Sequence, residues 1–319
     1  VTAVALADDG RRYGRLIVAT TAFPWLLFVL ASVAEVEDPL LVLSIYLGSP
    51  HVLATVGLYL QRDLGDHVRR HRGRYVVAPL VIIPASTLLF ALAPRRVGEV
   101  LVFGFIAWQL HHFTKQNFGM TSFWCRATER SGPSPFERRV ILATTVIGLM
   151  GLVIMTSDLE PFHTSARLAG SALVLVGLVT VAVLTRRDWY RGLVLAGTVL
   201  FYAPLCLFGV GFLWAAMAYQ AAHGAQYYLM VGTVVAPQRR VVLSTVAAVV
   251  VGGIFLSVAS ANFDSGPLWT FGLAKGIVAT HFVVDAGFWR LRDPEIRGFM
   301  ATRFGFLRPS PQPVTPVAV

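Results

Sequence analysis

Hydrophobic positions along this chain come in long blocks, not in alternation. Runs of roughly 20 apolar residues recur from one end to the other, each long enough to cross a bilayer as a helix. Short segments separate them, alternately rich and poor in arginine. Blocks this long, without period-two alternation, predict helices and not strands. Ten spans are predicted, near 14–35, 38–61, 75–94, 98–119, 139–157, 168–185, 191–208, 211–235, 241–261 and 268–289. The expected fold class is all-α, a polytopic transmembrane bundle of about ten spans with both termini cytoplasmic. Residues 1–13 read as a cytoplasmic leader, 14–290 as the transmembrane helical domain and 291–319 as a cytoplasmic tail, rich in Pro and Val over 304–319.

Composition agrees with that pattern. Of the 319 residues, 55% are hydrophobic and 14% charged, with a mean hydropathy of +0.65; soluble domains carry about 25% charged residues. No segment is polar and long enough for a second, soluble domain. The first apolar run lacks a small-residue cleavage site and reads as a span, not as a cleavable signal. Cys125 and Cys206 are too far apart for a CxxC redox or zinc motif.

The net charge of +10 raises nucleic acid as a partner, and the placement of the charges argues against it. With the N-terminus inside, the arginines fall almost wholly on the inner segments, above all 62–74, 120–138 and 290–308. The outer loops hold only Arg95, Arg96 and Arg167, together with Glu35, Glu37, Asp38, Asp158, Glu160 and Asp264. That asymmetry is the positive-inside pattern of an inner (plasma) membrane protein, and it supports an even number of spans. The expected partners are membrane lipid and an apolar small molecule, not nucleic acid.

Chemistry enters with histidine. Of the eight histidines, His51, His111, His112, His223 and His281 lie in apolar spans, where an imidazole is costly without a partner or a task. They sit in spans 2, 4, 8 and 10, which all run from outside to inside, so they can meet at one depth. Spans 5, 6 and 9 are apolar all round and read as lipid-facing or packing helices. His51 follows Pro50, whose ring frees a carbonyl one turn earlier. His111 and His112 stand about 100° apart on a helix, so one is expected to be the ligand. Gln109, His112 and Gln116 share one face; Trp108, His111 and Lys115 share the next. Trp108, Lys115 and Gln116 are candidate substrate contacts, with Lys115 placed to meet an anionic headgroup near the inner face. Tyr219, Gln220, His223, Gln226 and Tyr227 make one polar stripe on span 8. His281 and Asp285 are one turn apart on span 10, so the carboxylate can be a co-ligand or can orient the imidazole. Tyr219, Gln226, Tyr227 and Asp285 are the candidate catalytic groups. Lys275 is expected to point toward headgroups. His67 and His71, among arginines, and His163, beside Pro161, read as loop residues.

Imidazoles with at most one carboxylate suit iron, zinc or copper, and open positions on iron would admit dioxygen. Four segments, SPHVLA (49–54), LHHFTKQ (110–116), YQAAHGAQY (219–227) and THFVVDAGFWR (280–290), are similar in order and spacing to the motifs of the bacterial Brp/Blh family. That family consists of integral-membrane, iron-dependent enzymes, some of which cleave β-carotene to retinal. The resemblance implies iron held by His51, His112 or His111, His223 and His281. Tyr227 stands where the family's third motif carries a second histidine. The expected function is a membrane iron oxygenase acting, with dioxygen, on an apolar lipid or isoprenoid such as a carotenoid, with cleavage, hydroxylation and desaturation all open. The alternative weighed against it is a transporter or proton or metal channel built on a His/Asp relay.

Overall fold

A computed structural model of the chain describes residues 3–34, 48, 50–156, 160–208, 212–261 and 267–308. Among these residues the fold is all-helical, with no strand. The helices are α1 (Ala3–Ala34), α2 (His51–Ala54), α3 (Val56–Tyr59), α4 (Gly65–Arg70), α5 (Ala78–Leu92), α6 (Arg95–Ala127), α7 (Pro135–Thr156), α8 (Glu160–Leu184), α9 (Trp189–Leu200), α10 (Ala203–Phe208), α11 (Phe212–Val235), α12 (Arg239–Ala261), α13 (Leu268–Phe288) and α14 (Pro294–Arg303). A π turn, Gly73–Val77, leads into α5.

Four segments are long and apolar enough to cross a membrane: Gly73–Leu92, His163–Leu184, Arg239–Leu256 and Leu268–Phe288. Several such helices in one chain point to a membrane protein. Only 11%, 17% and 22% of the first three are buried in protein, against 67% of the last. The apolar surface of α5, α8 and α12 is therefore left uncovered by the described residues, while α13, which carries His281 and Asp285, runs through the interior.

Departures from the expected spans have local causes. Most of the second expected span, 38–61, lies outside the described residues; Pro50 leads into two short helices joined at Thr55. Residues 120–127 continue α6 in place of the expected connection, because Phe123, Trp124 and Cys125 bury an apolar face and no helix breaker intervenes before Gly132. The expected span 191–208 is split into α9 and α10 just before Pro204, which cannot donate a helical hydrogen bond. The leader and first span form one helix from Ala3. In the expected tail, Ile296, Phe299, Met300 and Phe304 are buried and join the main core.

Small residues set the close approaches that position the site. On α13, a Cβ at Gly272 would lie 2.7 Å from the Ser86 carbonyl and one at Gly276 2.9 Å from Ile83 Cα, so α13 and α5 pack backbone to backbone. Ser86 Oγ adds a 2.8 Å bond to the Gly272 carbonyl. On α12, a Cβ at Gly253 would lie 2.6 Å from Pro50 Cβ, and one at Gly252 would overlap Leu53 Cδ1. The helix bearing His51 is thus seated against α12 at a spacing that only small residues permit. Four apolar clusters form among the described residues, two of them large. Of the large ones, one gathers Tyr13, Trp124, Tyr227 and Phe288; the other gathers Phe113, Ile141, Tyr202 and Tyr219. α11 contributes to both, and the histidines lie where they meet.

At the arginine-rich end, polar clamps join the helix ends. Ser134 and Glu137 form a capping box at the start of α7, with Ser134 N–H donating to Glu137 Oε2 at 2.7 Å and Glu137 N–H to Ser134 Oγ at 3.2 Å. Arg191 forks onto the same carboxylate at 2.6 and 2.7 Å. Burial alone would raise the Glu137 carboxyl, but the bonds from Arg191 and Ser134 outweigh it and hold the group below its ordinary range.

Candidate metal centre

Four of the five histidines expected in apolar spans converge. His51 comes from α2, His112 from α6, His223 from α11 and His281 from α13. Their rings form a closed circuit, with centroids 4.6 Å apart for His51 and His223, 5.0 Å for His223 and His112, 5.4 Å for His112 and His281, and 5.3 Å for His281 and His51. Neighbouring rings stand nearly edge to face, and the His223–His281 diagonal is 6.5 Å. One ligand atom from each of His51, His223 and His281 lies within 4.8 Å of the others, and the same holds for His112, His281 and Asp285.

The Nε2 atoms of all four histidines are buried and have no hydrogen-bond partner among the described residues; nor do His223 Nδ1 and Asp285 Oδ1. Buried polar atoms are nearly always paired, so the two overlapping groups, His51–His223–His281 and His112–His281–Asp285, constitute donor sets without an acceptor. Their spacing fits a first-row ion: with bonds of about 2.1 Å, opposite ligands stand about 4.2 Å apart. A small inward adjustment of the side chains would bring the nitrogens from within 4.8 Å to that distance.

The other ring nitrogens explain why Nε2 points inward. His51 Nδ1 bonds to the Gly48 carbonyl. A carbonyl only accepts, so Nδ1 carries the proton and Nε2 keeps a bare lone pair. His281 Nδ1 lies 2.8 Å from Thr55 Oγ1, which lies 2.8 Å from the Tyr227 hydroxyl. The Tyr227 hydroxyl and Trp289 engage the carboxylate of Asp285. When Asp285 is ionised it only accepts, and the chain then runs in one direction: Tyr227 donates to Asp285, Thr55 to Tyr227, and His281 Nδ1–H to Thr55. His281 Nε2 is then left as a lone pair as well.

Glutamines lock the two helices that bear His112 and His223. Gln116 Nε2 donates to the His223 carbonyl at 3.0 Å and to Gln226 Oε1 at 2.9 Å. Gln226 Nε2 reaches Asn117 Oδ1 at 3.1 Å and Thr21 Oγ1 at 3.3 Å. Gln226 thus ties α11 to α6 and α1. Aromatic rings close the sides, with Phe282 stacked on His112 at 4.3 Å and Phe113 tilted against His223 at 4.3 Å.

The remaining sequence candidates fall in three places. His111 and Lys115 are exposed, and Trp108 is largely exposed with its ring edge-on to Phe282. All three, with Gln116, Tyr227 and Asp285, line a cavity of about 620 Å³ that reaches His112. Tyr219 is apart from the histidines; its hydroxyl donates to the Tyr202 carbonyl at 3.2 Å and its ring stacks on Phe201. Lys275 Nζ sits over Phe271 and Phe105, at 4.7 and 5.4 Å.

His67, His71 and Asp293 also come together. Here both nitrogens of His67 are engaged, Nδ1 with Glu295 at 2.9 Å and Nε2 with the Tyr75 hydroxyl at 3.1 Å. That group is a polar anchor for α14 and offers no free lone pair on His67. The structure adds Thr55, Asn117, Thr21 and the Gly48 carbonyl to the site, none of which the sequence marks as functional. Thr55, one turn after His51, is the one with a local signal. No protein-family model matches the chain, and no curated protein or solved structure matches it significantly.

Proposed function

We propose that the protein is a multi-pass membrane metalloenzyme, a histidine-ligated iron oxygenase acting on an apolar lipid or isoprenoid. His51, His112, His223 and His281 are its metal ligands. The observation that carries the reading is that four histidines whose rings form one circuit each bury an Nε2 atom without a partner among the described residues. Each unpaired buried polar group costs about 1–3 kcal/mol, so four cost on the order of 4–12 kcal/mol. That rivals the whole stability of a typical domain, about 5–15 kcal/mol. A bound cation removes the penalty. Imidazole ligation favours iron, zinc or copper; iron, when bound, supplies dioxygen chemistry, and the similarity of the four histidine segments to the Brp/Blh motifs favours iron and an isoprenoid.

The protein's own groups do the rest. Thr55 and the Gly48 carbonyl set the tautomers of His281 and His51. Gln116 and Gln226 hold His112 and His223 in register. Phe113 and Phe282 exclude water from the rings. Asp285, which lines the cavity, is placed to hold a proton beside a bound substrate or to donate to the cation. The arginine asymmetry supports an even number of spans and cytoplasmic termini, in keeping with ten spans in the plasma membrane.

A second reading, a proton or metal pathway, draws on the Asp285–Tyr227–Thr55–His281 chain of hydrogen bonds. Metal analysis separates the two. Detergent-purified protein should carry about one iron per chain, lost in His223→Ala and His281→Ala, and lipid extracts should change only in cells that express the protein with oxygen. A folded, metal-free protein that conducts protons in liposomes would overturn the oxygenase reading.

A further inference from the structure

The cavity that reaches His112 is not uniform. Its inner end is formed by His112, Tyr227 and Asp285, and its walls include Phe282, Met120 and Trp289. Its outer end carries Lys115, Arg74, Arg290 and Arg292, with Asp285 as the one carboxylate on the lining. A volume of about 620 Å³ falls in the range of small-molecule sites.

Basic residues at the inner edge of a membrane need no ligand to explain them. These differ from their neighbours in what they touch. Arg69, Arg70, Arg130, Arg191 and Arg303 each reach a carboxylate. Among the described residues, no ion pair joins Lys115, Arg290 or Arg292 to one, although all three border the same opening. Arg74 is held beside Tyr75 and against α13, where Gly287 leaves room for its side chain. The cations are therefore gathered on one lining from α6, from the segment after α13 and from the turn before α5, and the one carboxylate they share it with, Asp285, forms an ion pair with none of them among the described residues.

We propose that this cavity binds an elongated apolar molecule ending in an anionic group, a carboxylate or a phosphate. The anion sits among Lys115, Arg74, Arg290 and Arg292, and the apolar body runs inward to the histidines. This rests on the metalloenzyme reading for what happens at the inner end, and not for the binding itself. At about 1.5 Å per residue, α13 runs about 5 Å from Asp285 to its end at Phe288, with Arg290 and Arg292 beyond it. The position presented to His112 and Asp285 thus lies about 5 Å or more along the chain from the anion. Arginine pairs with carboxylate and phosphate in two parallel bonds, so the cluster fixes both the end of the molecule and its depth.

The test uses the full-length protein in a neutral detergent. Trp108 and Trp289 line the cavity, so ligands brominated at the far end report binding by quenching tryptophan. The probes are 11-bromoundecanoate, 11-bromoundecyl phosphate, 11-bromoundecanol and 11-bromoundecyltrimethylammonium. The anions should bind at least about tenfold more tightly than the alcohol, and the ammonium more weakly still. Arg290→Gln combined with Arg292→Gln, and separately Lys115→Gln, should erase most of that preference while leaving the affinity for the alcohol in place. Equal affinities for acid and alcohol, or an anion preference that survives these substitutions, would overturn the proposal. His223→Ala separates the two claims: it should lose metal and keep anion selectivity. In nanodiscs of zwitterionic lipid, displacement of bromoundecanoate on adding phosphatidylglycerol would support an anionic lipid headgroup as the occupant. Displacement by free dodecanoate alone would support a free acid.

Discussion

Replacing Thr55 with valine removes a single oxygen and leaves nearly the same shape. That oxygen lies 2.8 Å from His281 Nδ1 and 2.8 Å from the Tyr227 hydroxyl. Without it, His281 is no longer held in the tautomer that exposes Nε2, and two buried polar groups lose a partner. Substituting an outer partner of a ligating histidine costs about 10–100-fold in metal affinity, or about 1.4–2.8 kcal/mol. The orphaned Nδ1–H and hydroxyl add a stability loss of about 1–3 kcal/mol. Chelator competition on the purified protein, with bound iron counted by mass spectrometry, measures the first; thermal unfolding in detergent measures the second. Thr55→Ser retains the oxygen and should restore both. Wild-type iron affinity in a folded Thr55→Val protein would refute the idea that this chain of hydrogen bonds orients a ligand.

Gly253→Leu places a side chain where Pro50 now packs; it should lower metal loading without touching a ligand, at an overpacking cost of about 1–3 kcal/mol, read by metal content against melting temperature. His67→Ala should leave bound iron unchanged while destabilising the protein by about 1–3 kcal/mol, because it frees Glu295 and Tyr75 rather than a ligand. Glu137 has a lowered carboxyl in the folded state, so its contribution is fully present above the ordinary carboxylate range and fades as pH falls through the lowered value. Glu137→Gln should therefore cost about 1.5–3 kcal/mol near neutrality and flatten the loss of stability on acidification, measured by melting temperature from about pH 6 to pH 3.

The histidines are legible in the sequence because imidazole stands out in an apolar run, and because residues one turn apart share a helix face. That rule also pairs Asp285 with His281 and Tyr227 with His223. It does not separate His111 from His112, since a 100° step tells which faces differ and not which one meets a partner. In the structure α6 turns His112 toward Phe282 and His223, and leaves His111 at the cavity wall. The same rule misplaces Tyr219, one turn before His223, because α11 passes from one core into the other along its length and carries Tyr219 away to Tyr202. Thr55 gains its place only through the packing of α2 on Gly252 and Gly253, a contact between segments some 200 positions apart that no local pattern encodes. Uniform apolarity marks α8 and α12 as lipid-facing or packing helices, and both are mostly unburied. Gly73–Leu92 is more exposed still, which its sequence alone does not single out.

X-ray absorption at the iron edge, on protein purified in neutral detergent, tests the centre most directly. A first shell dominated by about four imidazole nitrogens at about 2.1 Å, lost in His223→Ala, is the result expected. A protein that folds with no bound metal, or an iron whose shell contains no imidazole and persists in His223→Ala, would contradict it.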